Sequence, residues 1–135
     1  MADILELEVA TPERLLVREQ VEEVQVPGKD GYMGILPGHA ALLSMLGIGY
    51  LSYNVAGKRR YLSVHGGFVE VLDNHVRVLA ELAEKAEEVD IERARRALKR
   101  AEEETFNPAL GADPGAALEA MARAQARIAA AELHK

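Results

Sequence analysis

The amino-acid sequence predicts a mainly β N-terminal sandwich or barrel followed by a C-terminal α-helical hairpin. Up to about residue 82, apolar and polar residues alternate with a period of two, and turn-forming residues separate the alternating segments. Beyond that point alanine becomes abundant, and apolar residues recur three and four positions apart, as on one face of a helix. The chain therefore changes fold class once.

The N-terminal strands are predicted from short alternating segments rich in Val, Leu and Tyr. These segments are LELEV (5–9), VEEVQV (21–26), GYLSYNV (49–55), RYLSV (60–64), FVEVL (68–72) and HVRVLAE (75–81). Turn chemistry lies between them, at Pro27-Gly28 to Gly31, Pro37-Gly38, Gly47, Ala56-Gly57-Lys58, Gly66-Gly67 and Asp73-Asn74. Because no helical segment intervenes, the strands are expected to pair antiparallel.

Two helices are predicted at about 91–105 and 115–133, separated by FNPALGADPG, whose prolines and glycines break a helix. Each helix carries a narrow stripe of mostly small residues: Ile91, Ala94, Leu98, Ala101 and Thr105 in the first, and Ala117, Met121, Ala124, Ile128 and Ala131 in the second. Such stripes bury little apolar area, so the hairpin must be stabilised by packing against another element. We therefore expect the hairpin to be a part of the protein that can move. We divide the chain into a sandwich at 1–84 and a hairpin at 85–135.

Composition narrows the class of protein. The chain has 135 residues and a net charge of −6, which argues against a nucleic-acid partner. It has no cysteine, so disulfides and thiolate chemistry are excluded. No apolar run approaches the ~20 residues of a membrane-spanning helix. We expect no direct membrane insertion, and any membrane association must pass through a partner.

The segment GILPGH (34–39) raises the question of a ligand loop. A phosphate loop would need a glycine run leading into a helix, usually with Lys and Ser or Thr, and neither follows. Pro37-Gly38 suits the centre of a type II turn, and His39 has no second ligand at metal-binding spacing. The remaining histidines, His65 among them, are read as solvated or packed. No catalytic pairing of acids, Ser-His-Asp or Cys-His is visible, and we predict that the chain is not an enzyme.

The first helix is strongly charged and leaves two readings open. Asp90 is placed to cap it by accepting a backbone N–H bond. Arg93 and Arg100 each precede a stripe residue, as do Arg123 and Arg127 on the second helix. These residues could form a solvated face of weak acid–base pairs. Alternatively, the four guanidinium groups could flank the hairpin seam and hold a polyphosphate.

Two long segments, with the order of elements, carry a resemblance to a known family. GYMGILPGHAALLSMLGIG (31–49), VHGGFVEVLDNHVRVLAELAEKAEEVD (64–90) and the succession of strands and Ala-rich helices resemble the epsilon subunits of bacterial F-type ATP synthases. The resemblance covers essentially the whole chain. It implies a β-sandwich of about ten strands that binds the gamma subunit and the c-ring, within a rotor complex on the cytoplasmic face of the inner membrane.

The resemblance also implies a role in rotor contact for the GILPGH turn and a regulatory role for the hairpin. The rotor-contact loop would comprise Asp30, Gly31, Tyr32, Gly34, Pro37, Gly38 and His39, although Tyr32 stands where many members carry a polar or acidic residue. In the family the hairpin is a brake on ATP hydrolysis: folded against the sandwich it leaves the enzyme free, and extended it meets the alpha and beta subunits of the catalytic head. The subunit is non-catalytic and couples c-ring rotation to that head.

Some family members bind ATP at the folded hairpin through an Ile/Leu-Asp-x-x-Arg-Ala motif. Here it reads VDIERA (89–94), with Val in the first position. The resemblance implies an ATP site formed by Glu84, Asp90, Arg93, Arg100, Arg123 and Arg127. No cofactor is required, and ATP is a candidate regulatory ligand. The main alternative is a free-standing ATP-binding sensor; a β-sandwich hydrolase is a weaker one.

Overall fold

The structure is a computed structural model that describes residues 4–107 and 113–135. Eight strands, a single 3₁₀ turn and two helices lie within these residues. The strands are β1 (Leu5–Ala10), β2 (Leu15–Val21), β3 (Glu23–Gly28), β4 (Gly31–Ile35), β5 (Leu42–Met45), β6 (Ile48–Val55), β7 (Lys58–Leu72) and β8 (His75–Lys85). The 3₁₀ turn (Ala86–Glu88) is followed by α1 (Ile91–Phe106) and α2 (Pro114–His134).

The strands form one hydrogen-bonded sheet that curls into a sandwich. Its order is β2-β1-β8-β7-β6-β3-β4, with β5 paired to β7. All of these pairings are antiparallel except that of β1 with β8, in which Glu6 lies opposite His75. Because β2, at one end of the order, also contacts β6, the sheet folds back on itself. The expected sandwich followed by a helical hairpin is confirmed, with eight described strands where about ten were expected.

The core is built from the inward-facing positions of both halves of the sheet. Its buried members are almost all Val and Leu, so the low aromatic content is no obstacle to close packing. The fully buried large side chains include Leu5, Leu7, Ile35, Leu51 and Leu62. Alternation places these residues on one face of each strand, as the period of two predicts.

Strand β7 differs from its sequence prediction because RYLSV and FVEVL form one continuous strand. Gly66 and Gly67, at φ +70° and +116°, lie within it, where a turn or bulge between two strands was expected. The register with β8 is the same on both sides of the pair, since His65 lies opposite Leu82 and Gly67 opposite Ala80. The two glycines therefore adopt a backbone conformation that other residues rarely adopt, and the register of the pairing does not change across them.

Two hairpin connections have the left-handed backbone typical of type I′ turns. Ala56 and Gly57 join β6 to β7, and Asp73 and Asn74 join β7 to β8, all with positive φ. The Pro37-Gly38 pair forms the type II turn that the sequence predicts: Gly38 has φ +87°, and the backbone N–H of His39 donates to the carbonyl oxygen of Leu36 at 3.1 Å.

The two helices lie close to their predicted limits and pack in layers. Helix α2 contacts β6, β7 and α1, so it lies between the sheet and the outer helix. The buried residues of both helices are alanines: Ala94 and Ala101 in α1, and Ala117, Ala124, Ala126, Ala130 and Ala131 in α2. The structure thus confirms small-residue stripes, and α2 has the two buried faces its position requires. No described helix has the length and apolarity needed to cross a membrane.

Candidate functional site

A cleft opens where the hairpin meets the end of the sheet. Its cavity measures about 410 Å³. Residues from β7, β8, the 3₁₀ turn and both helices line it: His65, Leu82, Ala83, Glu84, Glu88, Asp90, Arg93, Ala94, Ala97 and Arg127. The walls therefore combine an apolar floor, two guanidinium groups and three carboxylates. Such a mixture is typical of a site for a small polar ligand.

The first turn of α1 positions one wall of the cleft. Asp90 has an extended backbone (φ −84°, ψ 97°), and its side chain accepts a hydrogen bond from the backbone N–H of Arg93 at 3.1 Å. It is therefore the N-cap that the sequence predicts. The cap fixes where the helix begins, and the guanidinium of Arg93, exposed at the cleft, makes no ion pair with any described residue.

An ion pair between the sheet and α2 forms the opposite wall. The Nε of Arg127 donates to Oε1 of Glu84 at 2.5 Å. Both side chains are about two-thirds buried, with 29% and 34% exposed. Partial burial makes this pair stronger than a solvated one, since fewer water molecules screen it. The pair joins the last strand of the sandwich to the second helix.

The other two predicted arginines lie outside the cavity wall. Arg100 is 83% exposed and pairs with Glu104 on its own helix at 3.1 Å. Arg123 pairs with Glu119 on its own helix at 3.0 Å. The structure thus brings together four predicted residues (Glu84, Asp90, Arg93 and Arg127), with Arg123 near enough to act electrostatically on His65 in the same cleft. Arg100 is not brought in.

His65 is a cleft residue that the sequence does not single out. It is 4% exposed, and its Nε2 lies 3.3 Å from Oγ of Ser63. Burial, together with the charges of Arg127 and Arg123, lowers the pKa of His65 to about 4, so the imidazole is neutral at physiological pH. Residues 62–65 are all buried in the structure because a second layer covers their outer face, and no pattern in the sequence predicts this.

The 3₁₀ turn between the sheet and the hairpin makes polar contacts with two other parts of the chain. Arg14, in the β1–β2 connection, donates two hydrogen bonds to the carboxylate of Glu88 at 2.8 and 2.7 Å. This bond, with the backbone N–H of Lys85, lowers the pKa of Glu88 to about 2. At the far end of α2, Nε2 of His134 lies 3.5 Å from Glu87. The 3₁₀ turn is therefore held by Arg14 of the sandwich and by His134 at the C-terminal end of α2.

The predicted rotor-contact residues do not form one loop. Gly31, Tyr32 and Gly34 belong to strand β4, Asp30 lies in the turn before it, and Pro37, Gly38 and His39 lie in the turn after it. Since a strand of this length spans more than about 10 Å, the two turns lie at opposite ends of β4. The expectation of a single loop is therefore wrong. The later turn is held to the β7–β8 turn, because Asn74 Oδ1 accepts from the N–H of Gly38 at 2.7 Å.

An apolar row crosses the outer face of the sheet away from the cleft. Met45 lies opposite Phe68, Phe68 opposite Leu79, and on the next two strands Ala10 and Leu15 continue the line. Directly opposite residues project from the same face, and the four larger side chains are about half exposed. We call these five residues the apolar row. A contiguous exposed apolar surface of this kind indicates a protein–protein contact.

The sequence of the sandwich matches the model of a known protein family. Residues 4–86 match the family described as ATP synthase, Delta/Epsilon chain, beta-sandwich domain. The sandwich therefore belongs to that class of ATP synthase subunit. The match ends within the 3₁₀ turn, just before α1.

Relatives of full length extend the match over the hairpin. The chain is 65% identical to the ATP synthase epsilon chain of Solibacter usitatus over 132 residues, covering 98% of each chain. It is 47% identical to that of Nitratidesulfovibrio vulgaris strain DP4 over 128 residues, covering 95% of this chain and 96% of the other. The chain belongs to the ATP synthase epsilon chain family.

A solved structure shares the whole arrangement. A chain of the mitochondrial ATP synthase of Euglena gracilis, seen by cryo-electron microscopy with OSCP, F1 and the c-ring, superposes with a TM-score of 0.79 at 25% identity. The alignment covers 99% of this chain and 84% of that one. The sandwich and the hairpin are therefore both present in that assembled complex's subunit.

Proposed function

We propose that this epsilon chain is a non-catalytic subunit of the central stalk, which couples c-ring rotation to the catalytic head and restrains ATP hydrolysis. In this proposal the sandwich binds the gamma subunit and the c-ring. The hairpin, when released, meets the alpha and beta subunits. In the same proposal the chain lies peripherally at the cytoplasmic face of the inner membrane, as part of the ATP synthase complex.

The apolar row supports the assembly part of the proposal. An isolated domain gains nothing by leaving Phe68 and Leu79 half exposed beside one another, whereas a partner subunit that covers them removes apolar area from water. The row lies on the sandwich, so assembly does not require the helices. Attachment and regulation are therefore assigned to different parts of the chain.

The docking of the hairpin carries the regulatory part. Every fully buried residue that the structure describes in α1 and α2 is an alanine. An alanine contact buries little apolar area for each residue, so the docked state is favoured over a released one by a small margin. A small free-energy difference is what a two-state element needs if a ligand or a partner is to shift it.

The cleft supports ATP as the ligand that favours the docked state. Its walls come from the sheet and from both helices, so an occupant contacts all three at once. Arg93 and Arg127 supply guanidinium groups for phosphate oxygens, and the alanine and leucine floor can accept a flat base. A ligand that binds only the docked hairpin stabilises it by mass action.

A truncation after Val89 tests the division of labour. The catalytic head and gamma subunit are reconstituted with the full or the shortened chain, and binding and ATP hydrolysis are measured. We expect the shortened chain to bind gamma with unchanged affinity and the hydrolysis rate to rise. Loss of gamma binding would overturn the proposal. The full chain failing to bind gamma while binding ATP tightly would instead favour a free-standing ATP sensor.

Calorimetric titration of the full chain with ATP and ADP tests the nucleotide site separately. We expect saturable, ATP-selective binding that Arg93→Ala weakens strongly. Arg100→Ala is the matched control, because Arg100 lies on the same helix but pairs with Glu104 outside the cavity wall. Absence of binding at millimolar ATP would remove ATP from the proposal and leave release of the hairpin to subunit contacts alone.

A further inference from the structure

His65 is an ionisable residue buried in the contact between the sheet and α2. Strand β7 contacts α2, and the imidazole is only 4% exposed. Ser63, two positions before it on the same face of the strand, is fully buried as well. The neighbouring positions 62 and 64 point into the sandwich core, so the burial of Ser63 and His65 depends on the helix that covers the outer face.

The hydrogen bonding of the ring favours a neutral imidazole. Its Nε2 lies 3.3 Å from Oγ of Ser63, a hydroxyl that can donate or accept. Its Nδ1 is buried and has no hydrogen-bond partner among the residues that the structure describes. A protonated ring carries a donor on both nitrogens. The donor on Nδ1 would then be charged and buried without an acceptor, which is unfavourable.

The charged groups that α2 places over the ring oppose its protonation. Arg123 and Arg127 both act on it from this helix. Each already pairs with a carboxylate, Arg123 with Glu119 and Arg127 with Glu84 of β8. A proton on the imidazole would therefore add a third positive charge, while both of these carboxylates are already engaged.

The other elements around the ring offer no carboxylate partner either. On the two neighbouring strands, the residues directly opposite are the apolar Ile48 and Leu82. The remaining charged residues on this side, from β8, the 3₁₀ turn and α1, are Glu81, Glu88, Asp90 and Arg93. Glu88 bonds to Arg14 and Asp90 caps α1. Within the described residues, neither they nor Glu81 form an ion pair with the histidine.

Release of α2 would remove the causes that keep the ring neutral. Burial, followed by the charges of Arg127 and Arg123, lowers the pKa of His65 from 6.5 to about 4. Without α2 the ring is exposed and both arginines are gone, so its pKa returns towards 6.5. The released state therefore binds a proton more readily than the docked state, and a fall in pH favours release.

We propose that His65 is a pH-sensitive switch in the docking of the hairpin, and that protonation of its ring releases α2 from the sheet. The inference rests on the proposed release of the hairpin and adds a condition that drives it. Between pH 7.5 and 5.5 the ratio of docked to released chains should fall about tenfold. Acid thus acts in the opposite direction to a ligand that binds only the docked hairpin.

A second histidine at the docked hairpin acts in the opposite sense. Nε2 of His134 lies 3.5 Å from a carboxylate oxygen of Glu87. A proton on His134 strengthens this contact and so holds the C-terminal end of α2 more firmly. Its effect must be separated from that of His65 by substitution.

Hydrogen exchange of the full wild-type chain measures release as a function of pH. Protection factors of amides 124–130 in α2 and of amides in β1 are determined at pH 7.5, 6.5 and 5.5, corrected for intrinsic exchange rates. We expect α2 to be less protected than β1 at each pH, because it is released without unfolding of the sheet. Its protection should fall about tenfold from pH 7.5 to 5.5. Unchanged protection of α2, or equal protection of α2 and β1 throughout, would overturn the switch.

Two substitutions assign the pH dependence to one ring. His65→Gln keeps a neutral polar side chain at every pH, so protection of α2 should change by less than about twofold over the same range. His134→Gln is the matched control and should retain a fall of about tenfold or more. An undiminished fall in His65→Gln, or its disappearance in His134→Gln, would refute the assignment to His65.

The ring itself gives a test without substitution. In the wild-type chain labelled with ¹⁵N in its histidines, the His65 ring should become protonated only as α2 loses protection. Protonation near pH 6.5 with α2 still protected would contradict the proposal.

The switch and the proposed brake fail in different ways. If protection of α2 does not fall with pH but truncation after Val89 still raises ATP hydrolysis, the histidine switch is wrong and the regulatory role stands. If protection falls as expected but truncation leaves hydrolysis unchanged, the brake is wrong and the pH-dependent docking stands.

Discussion

Arg14 and Glu88 are separated by 74 positions in the sequence and are joined by two parallel hydrogen bonds of 2.8 and 2.7 Å. One residue belongs to the first connection of the sandwich and the other to the 3₁₀ turn from which the hairpin leaves. The forked geometry of a guanidinium with a carboxylate defines direction as well as distance. The departure point of the hairpin is therefore anchored to the start of the chain.

The anchor predicts an acid-sensitive contribution to stability. The pKa of Glu88 is lowered to about 2 in the folded chain from an ordinary value near 4.5, so its stabilisation is present above pH 4.5 and is lost as the pH falls towards 2. Glu88→Gln should lower the melting temperature at pH 7 by a few degrees and flatten its decline between pH 4.5 and 2. Thermal unfolding across this range tests it, with Glu103→Gln, at an exposed position of α1, as control. An unchanged pH profile would contradict the role of the pair.

His65 predicts a second pH window above the first. The pKa of His65 falls from 6.5 to about 4 on folding. Between these two pH values the histidine is protonated in the unfolded chain and neutral in the folded chain. Stability should therefore decrease as the pH falls from 6.5 to 4, by at most about 3 kcal/mol at about 1.4 kcal/mol for each pKa unit. Urea unfolding of the wild type and His65→Asn measures it. Identical slopes for both chains in this window would refute the prediction.

The backbone conformation of Gly67 in β7 predicts a large loss of stability when this glycine is replaced. A Cβ there would lie 2.0 Å from the carbonyl oxygen of Leu79, and the φ of +116° is itself unfavourable for any other residue. Gly67→Ala should therefore destabilise the sandwich by more than about 2 kcal/mol. Gly34→Ala is the matched control, since nothing lies within 4 Å of its Cβ position. Similar midpoints of chemical unfolding for the two variants would disprove the close approach.

The alanine packing of the hairpin predicts local release by overpacking. Ala130 on α2 is fully buried, so Ala130→Leu should cost about 1–3 kcal/mol of docking free energy. Hydrogen exchange of amides in α2 should accelerate about tenfold or more, while amides of the core strands keep their protection. Ala116→Leu, at an exposed position of the same helix, is the control. Loss of protection throughout the sheet would show that helix and sheet unfold as one unit.

The apolar row predicts a substitution that disrupts assembly without disrupting the fold. Phe68→Asp places a charge in the middle of the row, where the ring is 51% exposed. We expect binding to the gamma subunit to weaken at least about tenfold while the melting temperature of the isolated chain changes little. Leu118→Asp, at a similarly exposed leucine of α2, should bind normally. Equal binding of the gamma subunit by both variants would show that the apolar row is not the interface.

Sequence periodicity predicted correctly those strands that have one face toward the core and the other toward solvent. Strands β1 and β8 alternate regularly because a single face meets the core, and the helix limits followed from Asp90 and from the proline-rich break. Strand β2 breaks the alternation, since Leu16 and Val17 are both buried, and the short strands β4 and β5 contain exposed apolar residues. Period-based reasoning could not find these strands, because their faces are not divided into polar and apolar.

The candidate site was predictable in its charged residues and not in its histidine. Asp90 and Arg93 follow from a capping position and a motif spacing, which are local properties of the chain. The contact of Arg127 with Glu84 is a long-range property that only the docking of α2 creates. A single histidine in a strand carries no sequence signal for a place in the wall of a cleft. Its burial depends on which layer covers the strand, and that is decided by tertiary packing.

The parallel pairing of β1 with β8 also determines the order in which the chain can be completed during synthesis. Strand β1 cannot complete its pairing until β8 has been synthesised, because Glu6 lies opposite His75. The helices are made later still, so the finished sheet exposes Ser63 and His65 before α2 covers them. A nascent chain therefore passes through the same uncovered sheet that release of the hairpin would restore in the mature protein.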